Sequence, residues 1–278
     1  MELFIGLGVS LAKTAVCVVS EHGQIVKEAE TESEPDALVR WLDDLDGSIA
    51  AIDLEAGPLS QWLHRGLTEA GLDAMLMETR QVKGAPKAMP IKTDRRDAEG
   101  IARLLHLGWF RPVHCKSVSA QETRAVLGAR KAIQQNMIAL EMSLRGLPRN
   151  FGLKVGAISR GRFEARVREL ADGNPMLETA TAPMLRARAS LRQELAGLEK
   201  RLRQLARNDP VCRRLMKMPR IGEVVALTFR AAVYDPSRFR SSKKVGPWVG
   251  LTPSRSQAGE RDVPGGITKA GDVNLRRA

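Results

Sequence analysis

The sequence is poor in aromatic residues, cysteines and long apolar runs. Phe, Trp and Tyr make up 4% of its 278 residues, so stacking of single-stranded bases on aromatic rings is a minor theme at most. The three cysteines, Cys17, Cys115 and Cys212, are scattered and form no CxxC pair. They read as reduced cytosolic thiols, not as a disulfide frame or a zinc site. The four histidines (His22, His64, His106, His114) show no ligand spacing. No apolar run approaches the ~20 residues that span a bilayer. The N-terminus has no basic-then-apolar signal region, so the expected location is the cytoplasm, with no membrane partner. The first 78 residues also lack cations: 4 Lys/Arg (Lys13, Lys27, Arg40, Arg65) stand against 15 Asp/Glu.

The remainder supplies them. Beyond residue 78 there are 40 Lys/Arg against 17 Asp/Glu, and the whole chain carries a net charge of +12. A body this basic implies a polyanion partner, most simply DNA or RNA. The competing reading is that the cations only solvate helix faces.

Patterning divides the chain. "LFIGLGV" and "KTAVCVVS" read as strands, and "EHGQ" as the hairpin turn into a third, "IVKEAET". Between Ser33 and Asp46, Leu38, Trp41, Leu42 and Leu45 recur at helical spacing. "SIAAIDLE" is a short apolar strand ending in acid. "PLSQWLHRGLTEAG" is a helix with Pro58 early and Gly71 just past its end, and "DAMLMET" is another strand. The order βββαβαβ makes residues 1–115 an α/β layered domain with a mixed sheet. Residues 80–92 are basic and aperiodic and read as a loop; Thr93 then caps a helix.

Residues 119–147, 160–172 and 182–209 read as helices. The last has a near-heptad pattern of Leu191, Leu195, Leu198, Leu202 and Leu205. It calls for a partner, most economically the 119–147 helix in an antiparallel hairpin. Residues 116–209 are thus expected to be a helical, coiled-coil region. Residues 210–278, with short helices and Gly/Pro turns, are expected to form a small, mainly α C-terminal domain. Trp41 and Trp62 sit at core spacing, while Trp109 and Phe110 either pack or meet nucleic acid.

Four carboxylates draw notice. Asp53 and Glu55 lie two apart on a strand, so both point to one face. Asp94 and Asp97 lie three apart at a helix start, again on one face. Such groups form a hard oxygen site suited to Mg²⁺ and to phosphodiester chemistry. Equally, Asp94 and Asp97 would complement the helix dipole without any metal. On these residues alone the two readings stand level.

"FIGLGVSLAKTAVCVV", "DLEAGPLSQWL" and "KTDRRDAEGIARLL" resemble the N-terminal domain of the DEDD-motif insertion-sequence transposases, the "one-ten" family related to the Piv and MooV DNA recombinases. "MPRIGEVVALTF", "DPSRF", "VGLTPSRSQAGE" and "GGITKAGDVNLRRA" resemble its C-terminal transposase domain. The resemblance implies a RuvC-like, ribonuclease-H-type first domain whose four acidic positions bind Mg²⁺. Glu55, Asp94 and Asp97 match the second, third and fourth of these. The first falls on Gly8. The resemblance also implies a nucleophilic serine in the C-terminal domain, where this chain has Ala258. Asp53, and Ser254 or Ser256, are neighbouring groups that a rescue would have to use; a shift of two residues along a strand displaces an atom by ~6–7 Å.

Two further departures are Arg220, where the family has glycine in a helix-hairpin-helix-like turn, and the end at Ala278, where the family continues into more helix. The helix beginning near Val273 is therefore expected to have no room to pack.

DNA, a structured guide RNA and a second copy of the chain through the helical region are the partners so implied. Candidate phosphate contacts are Arg80, Lys83, Lys87, Lys92 and Arg95 of the first domain, Arg201, Arg203 and Arg220 within the basic stretch 186–220, and Arg255 and Lys269 of the C-terminal motifs. The expected function is that of an insertion-sequence transposase or recombinase whose chemistry is impaired in this copy. The alternative is a transposase-derived protein that only binds nucleic acid. Asp at position 8 together with Ser at position 258 is the smallest expected repair.

Overall fold

The computed structural model of the chain describes residues 1–78, 93–110, 112–259 and 261–278. It divides into two compact units, Met1–Lys116 and Ser117–Ala278.

The first unit is built on a mixed sheet of β1 (Glu2–Val9), β2 (Lys13–Ser20), β3 (Ile25–Glu32), β4 (Ser48–Glu55) and β5 (Ala74–Met77). The strand order is β3-β2-β1-β4-β5. β1 and β2, and β2 and β3, pair antiparallel; β1 and β4, and β4 and β5, pair parallel. Alternation along the strands assigns the two faces. Leu3, Ile5 and Leu7 of β1 and Ile52 and Leu54 of β4 point one way. They join Leu38 and Leu42 of α1 (Pro35–Asp43) and Leu63 and Leu67 of α2 (Ser60–Glu69) in the main core.

The opposite face is covered by α3 (Asp94–His106), whose Ala98 and Ala102 meet Ala15, Cys17 and Val19. Thr93 caps α3, its hydroxyl accepting from the Arg96 amide at 3.3 Å. Trp41 is half-buried against the main core, with the Lys27 ammonium 4.9 Å from its ring centre. Trp62 departs from its core spacing: it is 36% exposed on the outer side of α2. Phe110 packs against Met77, Ile101 and Leu104, whereas Trp109 is 73% exposed.

The second unit contains α4 (Val118–Gly146), α5 (Phe163–Ala171), α6 (Pro175–Asn208), α7 (Pro210–Leu215), α8 (Glu223–Val233), α9 (Val245–Val249), β6 (Pro253–Ala258), β7 (Arg261–Ile267) and α10 (Val273–Arg277). α4 and α6 pack together. One small core holds Leu144, Val155, Phe163, Val167 and Leu185; another holds Leu202, Ala206, Cys212, Ala226 and Leu227. Leu191, Leu195 and Leu198, on the stretch of α6 between them, are only half-buried. Arg188 is buried, donating to Glu141 at 2.7 Å with its guanidinium 4.7 Å from the Phe163 ring centre.

Three features differ from the sequence expectations. α6 begins at Pro175 and carries Pro183 inside it, although an interior proline removes a helix hydrogen bond. Leu177, Thr181 and Leu185 form one buried stripe at i, i+4 and i+8 through that position, so packing overrides the local break. The C-terminal region is not only helical: β6 and β7 form an antiparallel ribbon whose described side chains in 253–257 and 261–267 are all exposed. Exposure on both faces removes the apolar alternation that announces a strand. Finally, α10 does pack, against α8 and α9. Asp272 caps it and pairs with Arg124, and Arg276 donates to the Val249 and Ala270 carbonyls at 2.9 and 2.7 Å.

Among the described residues no helix is long and apolar enough to cross a membrane.

Candidate functional site

Gly8 lies near the end of β1, paired with Ala15 of β2. It points to the α3 face, as does Gly6, which pairs with Asp53 of β4. Glu55 ends β4 opposite Met77 and is half-buried. Asp94 and Asp97 occupy the first turn of α3, where negative charge is favoured. Asp94 is exposed and Asp97 buried.

The structure brings position 8 and Asp94 together, but through the helix backbone. A Cβ added at Gly8 would lie 3.1 Å from the Asp94 carbonyl carbon and 3.3 Å from the Ala98 nitrogen, and closer still to the Asp94 carbonyl oxygen. At Gly6 it would lie 2.5 Å from the Ala102 nitrogen and closer to the Ala98 oxygen. The Asp94 carboxylate meanwhile accepts a short hydrogen bond from the Ser10 hydroxyl at the β1–β2 turn.

Other contacts hold α3 along its length. Arg95 forks onto Glu28 of β3, with Nε 2.8 Å from Oε1. The bond from Arg95 holds the Glu28 carboxyl below its usual range. At the far end His106 sits 2.9 Å from the Glu21 carbonyl and packs edge-on against Phe4.

A divalent ion needs several oxygen ligands ~2–2.6 Å away. Among the described residues no three of His, Cys, Asp and Glu stand together so as to hold one. The stretch 79–92 adds no carboxylate by sequence. The Asp94 carboxylate is bound by Ser10, and position 8 has neither a side chain nor space for one. The residues present therefore do not fit a metal ion held by Glu55, Asp94 and Asp97 in this arrangement.

Asp53 is fully buried on the same side of the sheet, and neither carboxylate oxygen has a hydrogen-bond partner of good geometry. Burial pushes its carboxyl up to about 7, tempered by the nearby Leu54 and Met77 amides.

The phosphate-contact candidates fall into three groups. Arg80, Lys83, Lys87 and Lys92 lie outside the described residues. Arg95, Arg203 and Arg255 are engaged by Glu28, Glu223 and Asp262. Exposed pairs of this kind contribute ~0–1 kcal/mol and yield readily to another anion. Arg201, Arg220 and Lys269 are exposed and make no ion pair among the described residues, and the same holds for Arg207, Arg213, Arg214 and Lys217. Arg220 has φ 67°, the left-handed region that glycine occupies without strain.

Ala258 ends β6 opposite Arg261. Ser254 donates to the Gly266 carbonyl at 2.9 Å, across the ribbon, and Ser256 pairs with Val263.

Sequence reasoning found the vacancy at position 8 but not that a helix fills it. The available signal was Gly6: two glycines at alternate strand positions opposite Ala98 and Ala102, four apart on a helix, are the pattern of a close strand–helix seam.

Comparison with known proteins places both units. A transposase model for the DEDD proteins of the IS110 type matches residues 5–148, and the IS116/IS110/IS902 transposase family model matches residues 212–278. The transposase for insertion sequence element IS1111A of Coxiella burnetii is 27% identical, over 97% of this chain and 74% of its own length. A probable family 20 transposase of Pseudomonas aeruginosa is 30% identical, over 81% and 68%. A putative transposase of Sinorhizobium fredii, y4pF/y4sB, is 27% identical, over 86% and 61%. The mixed sheet followed by helices is compatible with a ribonuclease-H-like transposase fold.

Proposed function

Since the chain belongs to the IS116/IS110/IS902 family of insertion-sequence transposases, we propose that it engages the DNA of its element while its own strand-cleaving chemistry is impaired. The family implies DNA at the element ends and use of a divalent metal. The observation that carries the impairment is the α3 backbone lying against Gly8, where the resemblance calls for a metal-binding aspartate. Ala258 supports it independently: alanine offers no oxygen to attack a phosphodiester.

In this reading the first unit is a RuvC-like domain in which Glu55, Asp94 and Asp97 descend from the Mg²⁺ ligands. The α4–α6 pair is the helical hairpin through which copies associate. A structured guide RNA is a second nucleic-acid ligand, and the setting is the cytoplasm. Exposed cations near the end of α6 and around α7, Arg201, Arg207, Arg213, Arg214, Lys217 and Arg220, which make no ion pair among the described residues, form the phosphate-tracking surface.

The test is duplex binding by fluorescence anisotropy beside strand cleavage with Mg²⁺. Affinity should fall by roughly 10³ between 50 and 200 mM salt if about six phosphates are neutralised, and cleavage should be absent. Flat salt dependence removes the binding surface. Robust cleavage by the native chain removes the impairment and points to Asp53 with Ser254 or Ser256. Binding without cleavage also fits a purely binding descendant; transposition assisted by an intact family member in the same cell distinguishes a dormant partner from that.

A further inference from the structure

We infer that Gly8 is a packing residue: with Gly6 it makes the floor on which the α3 backbone lies, and Asp94 holds that helix to the β1–β2 turn instead of serving a metal ion. This deepens the proposed function and rests on it only for the residue the family carries at position 8.

The geometry is that of two matched repeats. Four residues of helix advance ~6 Å, and two residues of strand ~6.7 Å. Gly8 faces the Asp94 backbone and the Ala98 nitrogen, while Gly6 faces Ala98 and Ala102. Helix positions 94, 98 and 102 therefore run back along strand positions 8 and 6. At each step the nearest atoms are backbone, which cannot turn aside as a flexible side chain would. At 98 and 102 the residues the helix lays there are alanines, fully or nearly fully buried. A side chain at either glycine would have to lift the helix.

The polar contacts tie the same helix down. Ser10, two residues past Gly8, donates to the Asp94 carboxylate, and Arg95 and His106 bind the neighbouring strand and turn. An aspartate whose oxygen already accepts a hydrogen bond at the seam is a tether. Its charge is also well placed at the N-terminus of α3. The vacancy at position 8 and the seating of α3 are then one feature. Replacing Gly8 by Asp would add a ligand only by breaking the seam that positions the other two acids.

The experiment uses the full chain and reads thermal unfolding by circular dichroism, with no reliance on cleavage. Gly8→Ala, the smallest possible addition, should lower the melting temperature by roughly 5 °C or more. Ser10→Ala should lower it by less. Asp94→Asn, which keeps an acceptor for Ser10, should lower it least. Millimolar Mn²⁺ should raise the melting temperature of the native chain no more than a salt control of equal ionic strength. A Gly8→Ala protein as stable as the native one overturns the packing role. A saturable Mn²⁺ stabilisation lost in both Glu55→Gln and Asp94→Asn overturns the tether. If Gly8→Ala does not accumulate in folded form, Ser10→Ala and the Mn²⁺ titration decide the matter: an unchanged melting temperature in the first, or a saturable shift in the second, overturns it. Loss of duplex binding would overturn the functional proposal and leave this one standing.

Discussion

Gly8 and Ala258 both stand where the family resemblance calls for a reactive or ligating side chain, and the elements that carry them differ. Gly8 is in the middle of a sheet with a helix backbone pressed on it. Ala258 ends a two-stranded ribbon whose described residues face solvent on both sides. At Gly8 the helix backbone occupies the space that a side chain would need. Whether a side chain can be put back at such a position depends on what the fold does with the space. The two-residue repair suggested by the sequence treats the positions as equivalent; the structure does not.

The largest expected effect tests the crowded side. Gly8→Asp should cost about 3 kcal/mol or more, from overpacking plus burial of a charge, read as a lowered urea midpoint. A loss within ~1 kcal/mol, a size easily absorbed by small shifts, would erase the contrast with Ala258.

Next comes Asp53, which faces α3 from β4 beside Gly6. Its folded value of about 7 lies above the ordinary 3.8, so the native state holds a proton that the unfolded state has released across that window. Stability associated with it is therefore present at low pH and lost as pH rises through about 7. Asp53→Asn should raise stability by about 2 kcal/mol or more at pH 8 and change little near pH 3.5, below the ordinary value of 3.8, measured by urea unfolding at both. A gain of equal size at both pH values would mean that the buried charge is not the cause.

Arg220 sharpens the comparison from the open side. Its φ of 67° lies in an exposed turn between α7 and α8, away from any seam. Arg220→Gly should stabilise the chain by about 1 kcal/mol through relief of backbone strain. The same change should weaken duplex binding if Arg220 meets a phosphate. Stabilisation with unchanged affinity would separate strain from function.

The smallest effect is at the ribbon. Ala258→Ser should alter stability by less than ~0.5 kcal/mol, in the range of ordinary surface substitutions, and should restore no cleavage by itself. Cleavage by this single variant would show that position 8 is dispensable.

Much of the fold was legible because its signals are local. The βββαβαβ order, the Thr93 cap and the two long helices with the short one between them follow from alternation, helical spacing and capping chemistry, which neighbouring residues carry among themselves. The β6–β7 ribbon escaped because exposed strands have no apolar alternation. The passage of α6 through Pro183 escaped because the stripe that overrides the proline matters only once there is something to pack against. Of the candidate site, the sequence by itself determined that Glu55, Asp94 and Asp97 are present, and its resemblance to the family called for an aspartate and a serine where Gly8 and Ala258 stand. It determined the acidic first 78 residues and the basic remainder as well, since composition needs no geometry. Only the tertiary structure decided what those groups touch. Asp94 is bound by Ser10, Asp53 is fully buried near the Leu54 and Met77 amides, and position 8 lies under the backbone of a helix that begins 86 residues further along the chain. The physical reason is that excluded volume and desolvation are set by atoms distant in sequence, and no local pattern records how closely two elements approach.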